Sequence, residues 1–461
     1  MGFKLLLSFA LISALTLVNL YADDTLEDDL GGFGEELAGF DDEDISAEDS
    51  EPVEEKKQSN TTLSGDISFK TSYGYKQHRV DGIEYKGFNQ AQTSLYLQLD
   101  SKLSDNWKLR ISGDAFYDAI YDLHSNTSYR KDILDAYETQ VRFDDTYIQG
   151  SLSDNLDLKI GRQKVVWGKS DSIRITDVIN PLDNRLPGMT DIEDLRLSVG
   201  MAKLDYYVGE WNLSAMVIGE SRIMLEAAPR SEFFPVDSIF PTAPDPFMDL
   251  VTPANSLDNL QYAFAANGIF SGWDLSFYAA NVLDQKWHIE NQKRVVSKIK
   301  MLGSAINIAK GSWLFKSEVA FIDGVRYNTT TDEKNRLDTL IGFDNMSFTD
   351  TVISVEVANR HVFNHESQMS LQSDFVDKNE MQTAIRATHS FYNDTLNVSA
   401  LLSMFGSSWE NGGFSRVWLE YDIIDSLNTN FGVVNYISGD KPLTQANRNN
   451  DRIFIDLTYS F

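Results

Sequence analysis

Alternation with a period of two runs through most of the chain after residue 60, and it limits the fold more than any other feature. In TSLYLQLDSKL, Leu95, Leu97 and Leu99 share one face while Tyr96, Gln98 and Asp100 share the other. In NLDLKIG, Leu156, Leu158 and Ile160 oppose Asp157, Lys159 and Gly161. GFSRVWLEYDII sets Phe414, Arg416, Trp418, Glu420 and Asp422 against Val417, Leu419, Tyr421 and Ile423. Successive side chains of a strand point to opposite faces, so each segment has one apolar and one polar side. A sandwich or a barrel suits that pattern. The segments run to about 11–16 residues, well beyond an ordinary soluble strand, which favours a transmembrane barrel.

The connections support the same reading. Short turns are expected at 104–106, 153–155, 209–210, 271–272, 310–311, 347–350, 393–394 and 425–426. Between them lie longer connections, polar or bearing Gly and Pro: 77–86, 122–142, 168–195, 221–257, 285–294, 323–334, 363–377, 407–412 and 439–449. Eight turns and nine loops link about eighteen antiparallel strands, with sixteen at the low end. The even count puts both chain ends on the short-turn side, which in outer-membrane barrels faces the periplasm. The last segment, RIFIDLTYSF, alternates up to Tyr459 and Phe461, like the C-terminal assembly signal of Gram-negative barrels that the barrel-assembly machinery reads. Aromatics near strand ends (Tyr73, Tyr75, Trp107, Trp211, Trp273 and Trp313) suit girdles at the membrane interface.

The N-terminus reads as a secretory signal over residues 1–22: Lys4, an apolar run from Leu5 to Val18, and a cleavage site at Leu20-Tyr21-Ala22. No later window is apolar enough for a spanning helix, which excludes nothing of the barrel type. Residues 23–60 form an acidic periplasmic segment, with sixteen Asp or Glu and no Lys or Arg between Asp23 and Glu55. More than half of the formal net charge of −29 lies there. With no basic cluster, nucleic-acid binding is not expected. Leu26, Leu30, Phe33, Leu37 and Phe40 nevertheless fall on a helical stripe. The segment is either a solvated linker or a short amphipathic helix that forms against a partner. The chain has no cysteine, so disulfides and thiolate metal sites are excluded.

Residues 161–189, GRQKVVWGKSDSIRITDVINPLDNRLPGM, are too polar for a soluble core and too apolar for a floppy linker. A barrel of this size has a wide, wet lumen, into which such a loop folds as a constriction or partial plug. Its candidate residues are Arg162, Trp167, Asp171, Arg174, Asp177, Asn180, Asp183 and Arg185, with Arg and Asp pairing among themselves or with the wall. The alternative is a charged surface loop. If Leu156, Leu158 and Ile160 face lipid, strict alternation turns Arg162 outward as well. Either a bulge at Gly161 resets the phase or Arg162 lies at headgroup level, and the glycine favours the bulge.

That stretch is similar to the signature of an uncharacterised family of Gram-negative outer-membrane barrel proteins. The pattern is carried by Gly161, Arg162, Gln163, Val165, Trp167, Gly168, Asp171, Arg174, Asp177, Asn180, Pro181 and Asp183. Members are often found beside inner-membrane exporters of the resistance–nodulation–division (RND) type that move lipid-like molecules. The resemblance implies a barrel over residues 61–461, set among outer-membrane lipid, that conducts hydrophobic cargo. Coupling to such an exporter through the acidic segment is an inference from the stripe, not from the resemblance.

The loop at 221–257 carries Phe233, Phe234, Phe240, Phe247 and Met248, with five prolines from Pro235 to Pro253. So apolar a loop either packs onto its neighbours or offers a landing site for cargo. His361 and His365 are the only close histidines and lack a third ligand, so neither metal nor cofactor is expected. No catalytic set rises above chance, and no enzymatic activity is expected. The leading expectation is a conduit for a hydrophobic or lipid-like molecule. The alternatives are a diffusion porin for small hydrophilic solutes and an adhesin or structural barrel.

Overall fold

The computed structural model describes residues 60–124 and 127–461. Eighteen antiparallel strands form one sheet. They are β1 (Thr61–Gly74), β2 (Gly87–Ser104), β3 (Trp107–Asp118), β4 (Thr139–Ser153), β5 (Leu156–Gln163), β6 (Val199–Val208), β7 (Trp211–Ile218), β8 (Gln261–Phe270) and β9 (Trp273–Leu283). The second half is β10 (Lys298–Lys310), β11 (Trp313–Val325), β12 (Lys334–Phe348), β13 (Thr351–Val362), β14 (Asn379–Phe391), β15 (Leu396–Phe405), β16 (Gly413–Ile424), β17 (Leu427–Ile437) and β18 (Arg452–Ser460). Each strand pairs with the next, and β18 returns to β1 from Asp66↔Ser460 to Gly74↔Arg452, so the sheet closes. Closure matters because an open edge presents unpaired N–H and C=O groups that lipid cannot satisfy.

The eight expected short turns and nine expected long loops match the connections to within a few residues. The largest overlaps are at β4, which starts at Thr139 inside the expected 122–142 loop, and at β11, which runs to Val325 inside the expected 323–334 loop. Strand β11 shows what the alternation achieves. Phe315, Val319 and Phe321 are exposed on the outside, while Lys316, Glu318, Ala320 and Ile322 are buried on the inside. Exposure of large apolar side chains on every second position would be a liability in water and is required in lipid. No described helix is long and apolar enough to cross a membrane. At the turn end Trp273 stacks on Phe270 at 4.4 Å and Trp313 on Phe315 at 6.0 Å, as in an aromatic girdle.

The phase question at Gly161 resolves against the bulge. Pairing runs unshifted through Tyr147↔Gly161 and Thr146↔Arg162 on one side and through Gly161↔Met201 and Arg162↔Gly200 on the other. Gly161 absorbs the crowding instead: its φ is +133°, and a Cβ there would lie 2.2 Å from the Thr146 carbonyl oxygen. Arg162 therefore keeps the face of Leu158 and Ile160. It sits at the loop end of β5, where its guanidinium reaches Glu220 at 2.6 and 3.1 Å.

Candidate functional site

The core of this barrel lies inside it. The inner wall from β6 to β11 carries small or flexible residues, among them Ala263, Ala265, Ala280, Ala305 and Ala320, with Met201, Met216 and Met301. The space this leaves is filled by the loop between β5 and β6, residues 164–198. Trp167 stacks on Tyr278 at 4.7 Å, and Ile173, Ile175 and Ile179 are almost completely buried against the same wall.

Apolar packing alone would leave this loop's peptide groups without partners, and an unpaired buried N–H costs roughly 1–3 kcal/mol. Two wall carboxylates solve the problem. Glu318 on β11 accepts the backbone N–H of Lys169 (2.6 Å), Ser170 (2.8 Å) and Thr176 (3.2 Å), and the Thr176 hydroxyl (2.7 Å). Glu356 on β13 accepts the N–H of Asp171 (2.7 Å), Ser172 (3.1 Å) and Ile173 (3.1 Å). A buried carboxylate needs compensation, and here converging N–H dipoles supply it. Gly168, at φ +89°, lets the chain come this close, since a Cβ there would lie 2.7 Å from the Glu318 carboxylate. Two lysines flank these contacts: Lys316 bonds Asp171 and Asp344, and Lys169 bonds Asp274.

The rest of the loop is held by side chains. Asn180 joins its two ends, accepting from Val165 N–H (2.8 Å) and donating to the carbonyls of Leu197 (2.7 Å) and Gln163 (3.3 Å). Asp177 sits between Arg174 (3.1 Å) and Arg196 (2.8 Å). Arg185 pairs with Asp183 (2.6 Å) and donates to Gln140 on β4 (2.8 Å), with Arg142 3.5 Å from Asp183. Burial pushes the Asp183 carboxyl up, but the hydrogen bonds and charge of Arg185, with Arg142 behind it, outweigh this and hold it below the usual carboxylate range. Asp191 lies 3.1 Å from both Arg386 on β14 and Arg416 on β16.

The loop between β7 and β8, residues 219–260, closes the other side. Its tip brings Phe233 against Trp418, Val434, Tyr436 and Phe454 of the wall. Glu232 takes both ends of the Arg452 guanidinium at 2.7 and 3.2 Å, and that guanidinium lies 4.6 Å from the Phe233 ring. The Glu232 carbonyl also accepts from Asn450 at 2.9 Å. Phe234, Phe240 and Phe247 pack on one another, with Phe247 under Arg294, whose Nε donates to the Met248 carbonyl. The two infolded loops also pair directly, Leu225 with Asp183 and Glu226 with Asn184, as a short parallel ladder. Two spaces remain. One of about 410 Å³ on the loop side is lined by aromatics such as Phe234, Phe240, Trp287 and Phe375 together with charged groups such as Arg360, Asp374 and Lys441. One of about 320 Å³ lies towards the turns and is lined by polar groups such as Asp191, Ser354, Arg386 and Thr388.

Of the residues proposed for a constriction, Trp167, Asp171, Arg174, Asp177, Asn180, Asp183 and Arg185 all lie in the infolded loop. Arg162 is the correction, because unshifted pairing leaves it on the outer face. Tyr459 and Phe461 lie at the seam, where Phe461 exchanges two backbone hydrogen bonds with Gly65 at 2.9 Å each. The stripe Leu26, Leu30, Phe33, Leu37 and Phe40 lies outside the described residues. Glu318, Glu356, Asp191, Glu232, Arg416 and Arg452 were not singled out by the sequence. Their signal was only a charge at an inward position of an amphipathic strand or within a loop.

A family profile described as "Protein of unknown function (DUF1302)" matches residues 44–461. The chain belongs to that family. No curated protein matches it in sequence. The DUF1302 chain is similar in fold to several solved barrels. OpdK of Pseudomonas aeruginosa crystallised with vanillate is 12% identical, with a TM-score of 0.52 over 87% of this chain and 98% of that one. A structure described as the outer membrane protein opdK of the same organism gives 11%, 0.50, 87% and 99%. OccAB1 of Acinetobacter baumannii gives 10%, 0.50, 87% and 96%. At such identities the likeness establishes the fold of the DUF1302 chain and nothing finer.

Proposed function

We propose that the protein is a non-enzymatic outer-membrane channel for small solutes, closed in the described state by its two infolded loops. The observation that carries this reading is the pinning of residues 169–176 by Glu318 and Glu356 inside a closed barrel. Beside the plug, the inner wall of β1 to β3 is polar and partly open, with Ser64, Asp66, Lys70, Gln92, Gln98 and Arg110 facing inward. Such a wall suits hydrophilic solutes better than lipid, so the porin reading displaces the lipid conduit as the leading one. The outer-membrane setting is supported by the fold shared with opdK. Liposome swelling with arabinose tests it: deletion of residues 170–186 should admit the sugar much faster than the full chain does. An inserted deletion variant as impermeable as the full chain would sink the channel reading.

One observation keeps the conduit for hydrophobic cargo in play as a second reading. The loop-side cavity has an aromatic cluster in its lining, Phe234, Phe240, Trp287, Phe375 and Phe405, beside charged groups such as Arg360, Asp374 and Lys441. Swelling with a hydrophilic sugar separates the two, since a lipid path need not pass one.

In this setting the short turns and both termini face the periplasm. Cys at Asp105 or Asn393 should be shielded from an impermeant thiol reagent in intact cells, while Cys at Gly82 or Thr330 should label. Labelling at Asp105 in sealed cells would reverse the topology.

Coupling to an inner-membrane RND-type exporter through residues 25–40 is a further proposal, supported by the apolar stripe alone. Replacing Leu26, Leu30, Phe33, Leu37 and Phe40 with Ser should abolish exporter-dependent transport in cells and leave barrel folding intact. Unchanged transport would make the segment a solvated linker.

A further inference from the structure

Strand register brings three arginines into one belt. Arg386 on β14 is paired with Leu401, Leu401 with Arg416, Arg416 with Val434, and Val434 with Arg452 on β18. All five side chains are on the inner face, and the arginines stand on alternate strands, about 9–10 Å apart from strand spacing. Each is met by a carboxylate from an infolded loop rather than from the wall: Asp191 for Arg386 and Arg416, Glu232 for Arg452. The fit at Arg416 is incomplete. Its side chain is 4% exposed, yet its Nε and Nη1 have no aligned hydrogen-bond acceptor, although Asp191 lies 3.1 Å away. The Trp418 ring centroid lies 3.8 Å from the Arg416 guanidinium carbon and 5.2 Å from that of Arg386, so one ring serves both cations.

We propose that Arg386, Arg416 and Arg452 form an oxyanion-binding belt on the lumen wall, occupied in the closed state by Asp191 and Glu232, and that a small carboxylate or phosphate solute opens the channel by replacing them. The physical ground is compensation. Withdrawing a carboxylate from a buried guanidinium leaves an uncompensated charge and is strongly unfavourable, whereas exchange for a second oxyanion keeps the charge paired. A guanidinium presents a planar fork that carboxylate and phosphate both match, so the belt does not distinguish them by charge alone. Between the arginines, Leu401 and Val434 now pack with the Phe233 cluster. They would meet the apolar part of a solute once Phe233 withdraws. The carboxylate-held part of the plug, residues 169–176, need not move, because its anchors on β11 and β13 are separate from the belt.

This inference rests on the channel reading, and the test separates the two. Single-channel currents of the full chain in planar bilayers are compared in sodium chloride, sodium acetate and sodium phosphate at equal ionic strength. Open probability is expected to rise about tenfold in at least one oxyanion. A rise in acetate alone names carboxylates as the class, a rise in phosphate alone names phosphates, and a rise in both names small oxyanions generally. The variant carrying Asp191→Asn and Glu232→Gln should open without any oxyanion and prefer anions over cations in its reversal potential. Wild-type currents that do not distinguish the three salts would overturn the belt, as would a double variant that inserts and stays closed. If the double variant fails to insert, the wild-type comparison decides alone. Failure of the channel reading looks different, because the variant lacking residues 170–186 would then conduct in no salt.

Discussion

Replacing Glu318 and Glu356 together with Gln is expected to release residues 169–176 from the wall and to raise single-channel conductance by an order of magnitude or more, with the barrel intact. The change is nearly isosteric, so cavity formation contributes little. It acts through hydrogen bonding. The two carboxylates collect six backbone N–H groups and one hydroxyl. An amide keeps one good acceptor oxygen and turns an NH₂ towards donors it cannot serve. Several buried donors are then orphaned at roughly 1–3 kcal/mol each. With partial relaxation, the sum is comparable to the several kcal/mol that burial of three isoleucines and Trp167 contributes, enough to loosen the loop from the wall. Bilayer conductance and protease cleavage within the loop read the release, and heat-modifiable migration reads the barrel. A double variant with wild-type conductance and an uncut loop would mean that apolar packing alone holds the plug.

Removing residues 452–461 should have the larger effect, on assembly. β18 is paired along nine positions to β1 and eight to β17. Its loss exposes two edges at once, and neither finds partners in lipid. It also removes Arg452 and strands Glu232. The truncated chain is expected to be degraded in the periplasm, with no heat-modifiable form in outer-membrane fractions. Phe461→Ala is the milder test, because it keeps the backbone exchange with Gly65 and loses only the ring. A normally inserted truncation would show that the seam is dispensable to closure.

The parts of the molecule that were legible in the sequence are those that lipid dictates. A strand facing lipid on one side and a lumen on the other must alternate, so Leu156, Leu158 and Ile160 announce β5, and the turns fall within a few residues of where alternation stops. The infolded loop was legible as a charge pattern confined between strands, and its local pairs Arg174–Asp177 and Asp183–Arg185 lie within three residues of each other. Its anchors were not. Glu318 and Glu356 lie 142 to 185 residues away from the groups they hold. Their partners are peptide N–H groups, which every residue but proline carries, so no residue type marks the contact. Arg162 was misplaced for another reason. A glycine that permits a bulge also permits strained but unshifted pairing, and only the neighbouring strands decide between them.

Because those anchors grip main chain, they place an unusual condition on how the loop's sequence can vary. Ser172 gives Glu356 its N–H. Saturation mutagenesis there should therefore tolerate most side chains and reject proline sharply. Glu318 and Glu356 should tolerate almost nothing. A lineage of such barrels can thus rewrite the side chains that the loop displays, while the path of the loop through the barrel stays fixed by two wall residues.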